Sequence, residues 1–257
     1  MTPADAVIGV GIGLVSGVLS GLFGVGGGIV MTPGVQVLLG APAIVALATP
    51  LPAIFPTALA GAATYARRGE VDARSAAWIA GPGLAGAALG AWATEWVETS
   101  LLLLVTAVLL AWQAARIFRQ GRGAAAADRT AGVPPVVFAT IGLATGFVSG
   151  LLGVGGGIVI VPVLAGWLGM PLKRTLGTSL LAIVALVVPG AIVHLVLGHI
   201  DVGIFAALTV GAVPGARIGA EIALGTRERT LRLVVGGFLL VLAVSYATAQ
   251  TVALLGD

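Results

Sequence analysis

Residues 20–33 read Ser-Gly-Leu-Phe-Gly-Val-Gly-Gly-Gly-Ile-Val-Met-Thr-Pro, and residues 149–162 read Ser-Gly-Leu-Leu-Gly-Val-Gly-Gly-Gly-Ile-Val-Ile-Val-Pro. Each stretch interrupts an apolar run with a cluster of glycines, which weaken a helix and permit backbone conformations closed to other residues. The copies lie 129 residues apart, and residues 17–33 match residues 146–162 at 12 of 17 positions. The same offset continues without a gap. Thr49, Leu51, Ala53 and Ile54 fall on Thr178, Leu180, Ala182 and Ile183, and Gly61, Gly69 and Asp72 fall on Gly190, Gly198 and Asp201. Gly86, Ala87, Gly90 and Ala91 meet Gly215, Ala216, Gly219 and Ala220. The chain is therefore a duplication, with residues 1–118 as the first repeat, 119–132 as a polar, small and basic join, and 133–257 as the second repeat.

Composition sets the solvent. Of 257 residues, 58% are hydrophobic and 9% charged, against roughly 25% charged in a soluble domain, so a water-facing surface cannot be clothed. Apolar stretches at residues 6–23, 45–64, 74–94, 99–115, 133–152, 176–197, 202–224 and 233–255 are each close to the ~20 residues that cross a bilayer as helix. Abundant Gly and Ala with few aromatics suit packed helices better than a barrel of ~10-residue alternating strands. The expectation is an all-α, polytopic membrane protein. The net charge of +3 forms no basic stripe with interleaved aromatics, which speaks against nucleic acid. With no cysteine, disulfides, thiolate catalysis and Cys-ligated metals are excluded. The first residues carry no basic stretch, so the first apolar segment reads as a retained helix and not a cleaved signal.

Each repeat divides into five segments, in the first at residues 6–23, 29–39, 45–67, 72–94 and 99–118. The second segment, of 11 residues, would span only about 16 Å, half of a ~30 Å hydrocarbon core. If the first two segments made one crossing, the repeats would be parallel, and Lys173, Arg174, Arg227, Arg229 and Arg232 would face outside while Arg67, Arg68 and Arg74 faced inside. If instead these segments enter and leave on one face, the second repeat is inverted. All 13 basic residues then fall at or toward the cytoplasmic side, and Asp5, Glu95, Glu98, Asp201 and Asp257 lie outside, with both termini periplasmic. Trp78, Trp92, Trp96, Trp112 and Trp167 stand near segment ends, where aromatic belts form. Inverted repeats with interrupted helices are a recurrent plan of secondary transporters, with the substrate near the midplane.

A break in a membrane helix leaves N–H groups of the following half-helix without partners, at the positive end of its dipole. An anion satisfies them. Gly24, Gly26, Gly27 and Gly28 of the first cluster and Gly153, Gly155, Gly156 and Gly157 of the second are thus candidate anion-binding positions. The plainer reading is a sharp turn with tight packing. A phosphate loop is excluded because no Lys-Ser/Thr follows. Thr49 and Thr178, with Ser179, could donate hydroxyls to an anion, although Ser and Thr in membrane helices commonly bond backbone or a neighbouring helix. Ser20 and Ser149 share that ambiguity. Arg217, whose repeat mate is Ala88, stands within a segment and either pairs with Glu221 and snorkels or acts as an anion contact or gate. His194, opposite Tyr65, is a candidate proton relay or a helix-to-helix hydrogen bond. The small-xxx-small pairs Gly17 with Gly21, Gly146 with Gly150, Gly86 with Gly90 and Gly215 with Gly219 read as packing faces.

The doubled Gly-Val-Gly-Gly-Gly stretches, with Gly177-Thr178-Ser179-Leu180 and Gly215-Ala216-Arg217-Ile218-Gly219, resemble the sulfite exporter TauE/SafE family, also called the toluene sulfonate uptake permease family. The resemblance covers nearly the whole chain. It implies a bacterial-type inner-membrane protein that moves sulfite, sulfonates or related organic anions. Residues 48–50 read Ala-Thr-Pro where residues 177–179 read Gly-Thr-Ser, so a site drawn from both repeats is asymmetric.

Nine of the ten acidic residues sit in loops or at segment ends, and the tenth, Glu221, is near Arg217. No mid-membrane carboxylate is available to carry a proton. Anion export needs none, because an inside-negative potential drives it by ~2.3 kcal/mol per charge per 100 mV. Uptake would need a coupled ion, through His194 or through a cation on unwound carbonyls. Alternating access between the repeats is the leading mechanism, an anion channel the rival. No His-Glu-x-x-His, paired carboxylates or Ser-His-Asp set points to an enzyme. The expected partners are a small anion and the lipid bilayer, with no cofactor and no nucleic acid; a homodimer is compatible with this reading.

Overall fold

The computed structural model describes residues 2–93, 130–152, 155–231, 233–234, 236–237 and 240–241. The last segment of the first repeat, the join up to residue 129, Trp96, Trp112, Gly153 and most of the last segment of the second repeat lie outside them. Helix α1, Pro3–Phe23, starts at a capping box: Thr2 Oγ1 accepts from the Asp5 amide at 3.2 Å and Asp5 accepts from the Thr2 amide at 2.8 Å, which satisfies two orphan donors. It ends at Gly24, with φ 68°. Helix α2, Gly28–Leu38, turns back along α1, and a side chain at Gly34 would stand 2.9 Å from Ile12. The first two segments thus form a helical hairpin.

Helices α3, Ala43–Ala48, and α4, Pro50–Ala66, follow one another through Thr49, and residues Ile44–Ala66 form one apolar span of 23 residues. The interruption has a local cause: Pro50 and Pro52 lack the N–H groups that would close the helix onto the carbonyls of Ala46 and Ala48. Helix α5 is Ala73–Ala93, α6 is Pro135–Leu152, and α7, Gly157–Pro162, continues as a π turn over Val163–Trp167. Helix α8 runs unbroken over Leu172–Val196, with Ser179 and Leu181 where α4 has the two prolines. Helix α9 is Val202–Gly225, capped by Asp201, which accepts from the Ile204 amide at 2.9 Å. Among the described residues, four helices are long and apolar enough to cross a membrane: Pro3–Phe23, Ile44–Ala66, Leu172–Val196 and Val202–Gly225. The perimeter is clothed in large apolar side chains, among them Val7, Val37, Val196 and Val210, all more than three-fifths exposed. Such a surface is stable against lipid and not against water. The protein is an all-α, polytopic membrane protein.

The long helices interlock through glycines. Side chains at Gly13, Gly17 and Gly21 of α1 would collide with the backbone of Leu208, Ala212 and Ala216 of α9. At Gly142, Gly146 and Gly150 of α6 they would collide with Ile79, Gly83 and Ala87 of α5. Each collision in the second set lies 129 residues from one in the first. Contact positions rise together along each pair, so α1 runs parallel to α9 and α6 to α5. Without a hydrophobic force between helices in lipid, this backbone approach is what selects partners. The small-residue faces expected as packing are these two interfaces.

Helices α4 and α8 pack through the centre, and their contacts run in opposite senses. Gly61 meets Leu180, Gly190 meets Leu51, and Gly177 meets Tyr65. These two helices, which correspond between the repeats, therefore cross antiparallel. Ile54, Leu180, Ile183 and Leu186 fill the interior between them, none more than 1% exposed.

Candidate functional site

The glycine clusters are turns at the ends of α1 and α6, each followed by a short returning helix. Gly27 and Gly156 are the N-caps of α2 and α7 with φ of 86° and 77°, and neither offers a side-chain cap. Only glycine adopts this left-handed conformation at low cost. The Gly27 carbonyl accepts from Val30 and Met31, and the Gly156 carbonyl from Val159 and Ile160. The amides of Gly28 and Ile29 have no acceptor among the described residues. They lie at the positive end of an 11-residue helix.

The two turns touch. A side chain at Gly157 would stand 2.7 Å from Val25 Cα, and one at Gly155 3.7 Å from the Val25 carbonyl. Positions Gly26 and Gly155 both face Ile54 and Ile183, at 3.2–3.8 Å. Ile54 lies near the middle of the Ile44–Ala66 span, and its repeat mate Ile183 near the middle of α8. Of the predicted glycines, Gly24, Gly26, Gly27, Gly28, Gly155, Gly156 and Gly157 are thus brought to one place, and Gly153 lies outside the described residues.

The predicted hydroxyls have definite partners. Ser179 Oγ donates to the Gly24 carbonyl at 2.8 Å, tying α8 to the first turn. Its repeat mate, Pro50, has no such donor. Thr178 Oγ1 accepts from the Asp72 amide at 2.9 Å, and Thr49 Oγ1 accepts from the Asp201 amide at 3.1 Å. Each threonine therefore pins the loop at the start of α5 or α9, in reciprocal fashion between the repeats.

Apart from Tyr65, every buried side chain with a polar atom among the described residues is a Ser or Thr. Ser16, Ser20 and Thr145 have hydroxyls with no hydrogen-bond partner, and a buried unpaired hydroxyl costs roughly 1–3 kcal/mol. Ser16 and Thr145 are repeat mates, as are Ser20 and Ser149. A side chain at Gly27 would lie 3.4 Å from Ser20 Cβ, and one at Gly156 3.1 and 3.3 Å from Thr145 and Ser149. Sequence reasoning singled out Ser20 and Ser149 but passed over Ser16 and Thr145. The available signal was their spacing, one helical turn before Ser20 and Ser149.

Tyr65 is fully buried and donates to the Gly21 carbonyl at 2.9 Å. Its mate His194 is half-buried, and its Nδ1 lies 3.2 Å from His199 Nδ1. Beside His194, a cavity of about 20 Å³ is lined by Leu51, Ser149, Gly150 and Gly190. Arg217 is exposed on α9, on the face opposite Gly215 and Gly219, and no ion pair joins it to Glu221. It is not brought to the glycine turns. At the arginine-rich end, a recess of about 300 Å³ lies between Arg74, Trp78, Phe138 and Arg174, where Arg174 pairs with Asp72 at 3.5 Å. Among the described residues, no group of three His, Asp or Glu side chains could hold a metal ion.

Helix breaks that meet between membrane-spanning helices are the arrangement in which secondary transporters hold their substrates. Residues 9–246 match the family described as Sulfite exporter TauE/SafE, and the chain belongs to that family. It is 27% identical over 252 residues to the probable membrane transporter protein YunE of Bacillus subtilis, covering 89% of this chain and 92% of the relative. It is 32% identical over 186 residues to a probable membrane transporter protein of Xylella fastidiosa, covering 71% of each. A probable membrane transporter protein of Methanocaldococcus jannaschii is 25% identical over 243 residues, covering 89% of this chain and 90% of that protein. No solved structure matches. The protein is a multi-pass membrane protein of a transporter family.

Proposed function

We propose that the protein moves a small oxyanion, sulfite, a sulfonate or a related species, across the inner membrane by alternating access between two inverted repeats. The observation that carries this reading is the meeting of the two glycine turns beside Ile54 and Ile183, near mid-span. Helix breaks at such a depth are sustained where they line a polar site. Gly24, Gly26, Gly27, Gly28, Gly153, Gly155, Gly156 and Gly157 form the site, with Thr49, Thr178 and Ser179 holding its frame. The antiparallel crossing of α4 and α8, and the reciprocal contacts of α1 with α9 and α6 with α5, support the inversion. Both termini then lie on the periplasmic side.

Every buried polar group described is an uncharged hydroxyl, so a bound anion carries its net charge across unneutralised. An inside-negative potential then favours export or facilitated diffusion by about 2.3 kcal/mol per charge per 100 mV. His194, beside the small cavity that reaches Ser149, is the gating or coupling residue of this scheme. Purified protein in liposomes should accelerate sulfite or sulfonate flux, with saturation and counterflow, and an imposed potential should set the direction. Replacing Gly27 or Gly156 by Val, at φ of 86° and 77°, should abolish flux; undiminished flux would sink the site. Flux without saturation or counterflow would make the protein a channel.

A further inference from the structure

Hydroxyls in apolar helices ordinarily donate to the carbonyl one turn back. Thr57, Thr64 and Thr209 do so, at 2.6, 2.9 and 2.8 Å from Ala53, Ala60 and Phe205. Ser16 and Ser20 on α1, both 0% exposed, bond no carbonyl and no side chain. They lie where α2 begins: a side chain at Gly27 would stand 3.3 Å from the Ser16 carbonyl and 3.4 Å from Ser20 Cβ. The unpaired amides of Gly28 and Ile29 open the same helix. Two unpaired hydroxyls on α1 and two unpaired backbone donors are therefore found about the same turn, and no carboxylate is among the buried side chains described. A cluster of donors at a helix N-terminus is complementary to an anion.

We propose that Ser16 and Ser20, with the amides of Gly28 and Ile29, form a binding site for a compact oxyanion, and that Thr145 supplies a hydroxyl to the equivalent place in the second repeat. The inference rests on the transport reading and narrows its substrate. Ile54, Ile183 and Met31 stand 3.2–3.5 Å from the side-chain positions of Gly26 and Gly27, so the site admits oxygens on a small central atom and no aryl or long alkyl substituent. Thr145 is buried and unpartnered in the same way, beside Gly156 at 3.1 Å.

The test is calorimetric binding and thermal shift on the purified full chain, with sodium sulfite, sodium sulfate, sodium p-toluenesulfonate and sodium chloride at matched sodium. The parent should bind sulfite and not p-toluenesulfonate. The double variant Ser16→Ala, Ser20→Ala should bind sulfite at least about ten-fold more weakly, while its melting temperature without anion stays level or rises, since it loses only unpaired hydroxyls. Thr145→Val keeps the side-chain shape and should also weaken binding, which preserves the test if the serine variants fold poorly. Parent-like sulfite affinity in both variants overturns the inference and leaves the transport reading standing. Equal affinity of the parent for p-toluenesulfonate overturns the size restriction, and a thermal shift common to all four salts makes sodium the ligand. A parent that neither binds nor moves any of the anions overturns both readings.

Discussion

At the scale of single residues, the candidate site consists of donors and of backbone that only glycine can adopt. Ser179 is its clearest structural tie, because its hydroxyl is the partner of the Gly24 carbonyl at 2.8 Å. Ser179→Ala removes that donor and leaves a buried carbonyl short of a partner, so unfolding should become easier by about 1–2 kcal/mol. Reversible denaturation in mixed micelles measures this, and an unchanged midpoint would show that the tie is dispensable. Thr49 and Thr178 were legible in the sequence as equivalent positions, but not as loop pins. Their partners, the amides of Asp201 and Asp72, are 152 and 106 residues away, and no local pattern encodes a bond of that reach. The orphan state of Ser16 and Thr145 was equally hidden, because it depends on which backbone packs against them.

Among the helices, backbone contact through glycine selects who sits beside whom. Gly146 of α6 lies against the Gly83 backbone so closely that any side chain would collide. Gly146→Val should therefore cost more than about 3 kcal/mol, beyond the usual range for overpacking, because backbone and not a movable side chain must yield. Gly11, on α1, is exposed and has nothing within 4 Å of its side-chain position, so Gly11→Ala should stabilise by roughly 0.5–1 kcal/mol through helix propensity. Yield and melting temperature of the two variants, measured side by side, check both signs. The small-xxx-small spacing was visible in sequence as a packing face. That the first segment of one repeat would meet the fourth segment of the other was not, since many apolar faces offer the same spacing.

Across the whole molecule, inversion has a direct experimental consequence. A single cysteine at His199, after α8, should react with an impermeant maleimide in intact cells, and one at Arg68, after α4, only after the cells are broken. Labelling of both positions from the same side would refute the inverted arrangement. Membrane residence, duplication, segment positions and the two breaks all follow from hydropathy, glycine and proline, which act on a few neighbouring residues and need no knowledge of partners. The parallel pairs α1 with α9 and α6 with α5, the antiparallel crossing of α4 and α8, and the meeting of the glycine turns were decided by tertiary structure alone. In lipid all these helices are about equally apolar, so hydrophobicity does not choose between neighbours; the fit of backbone against backbone does.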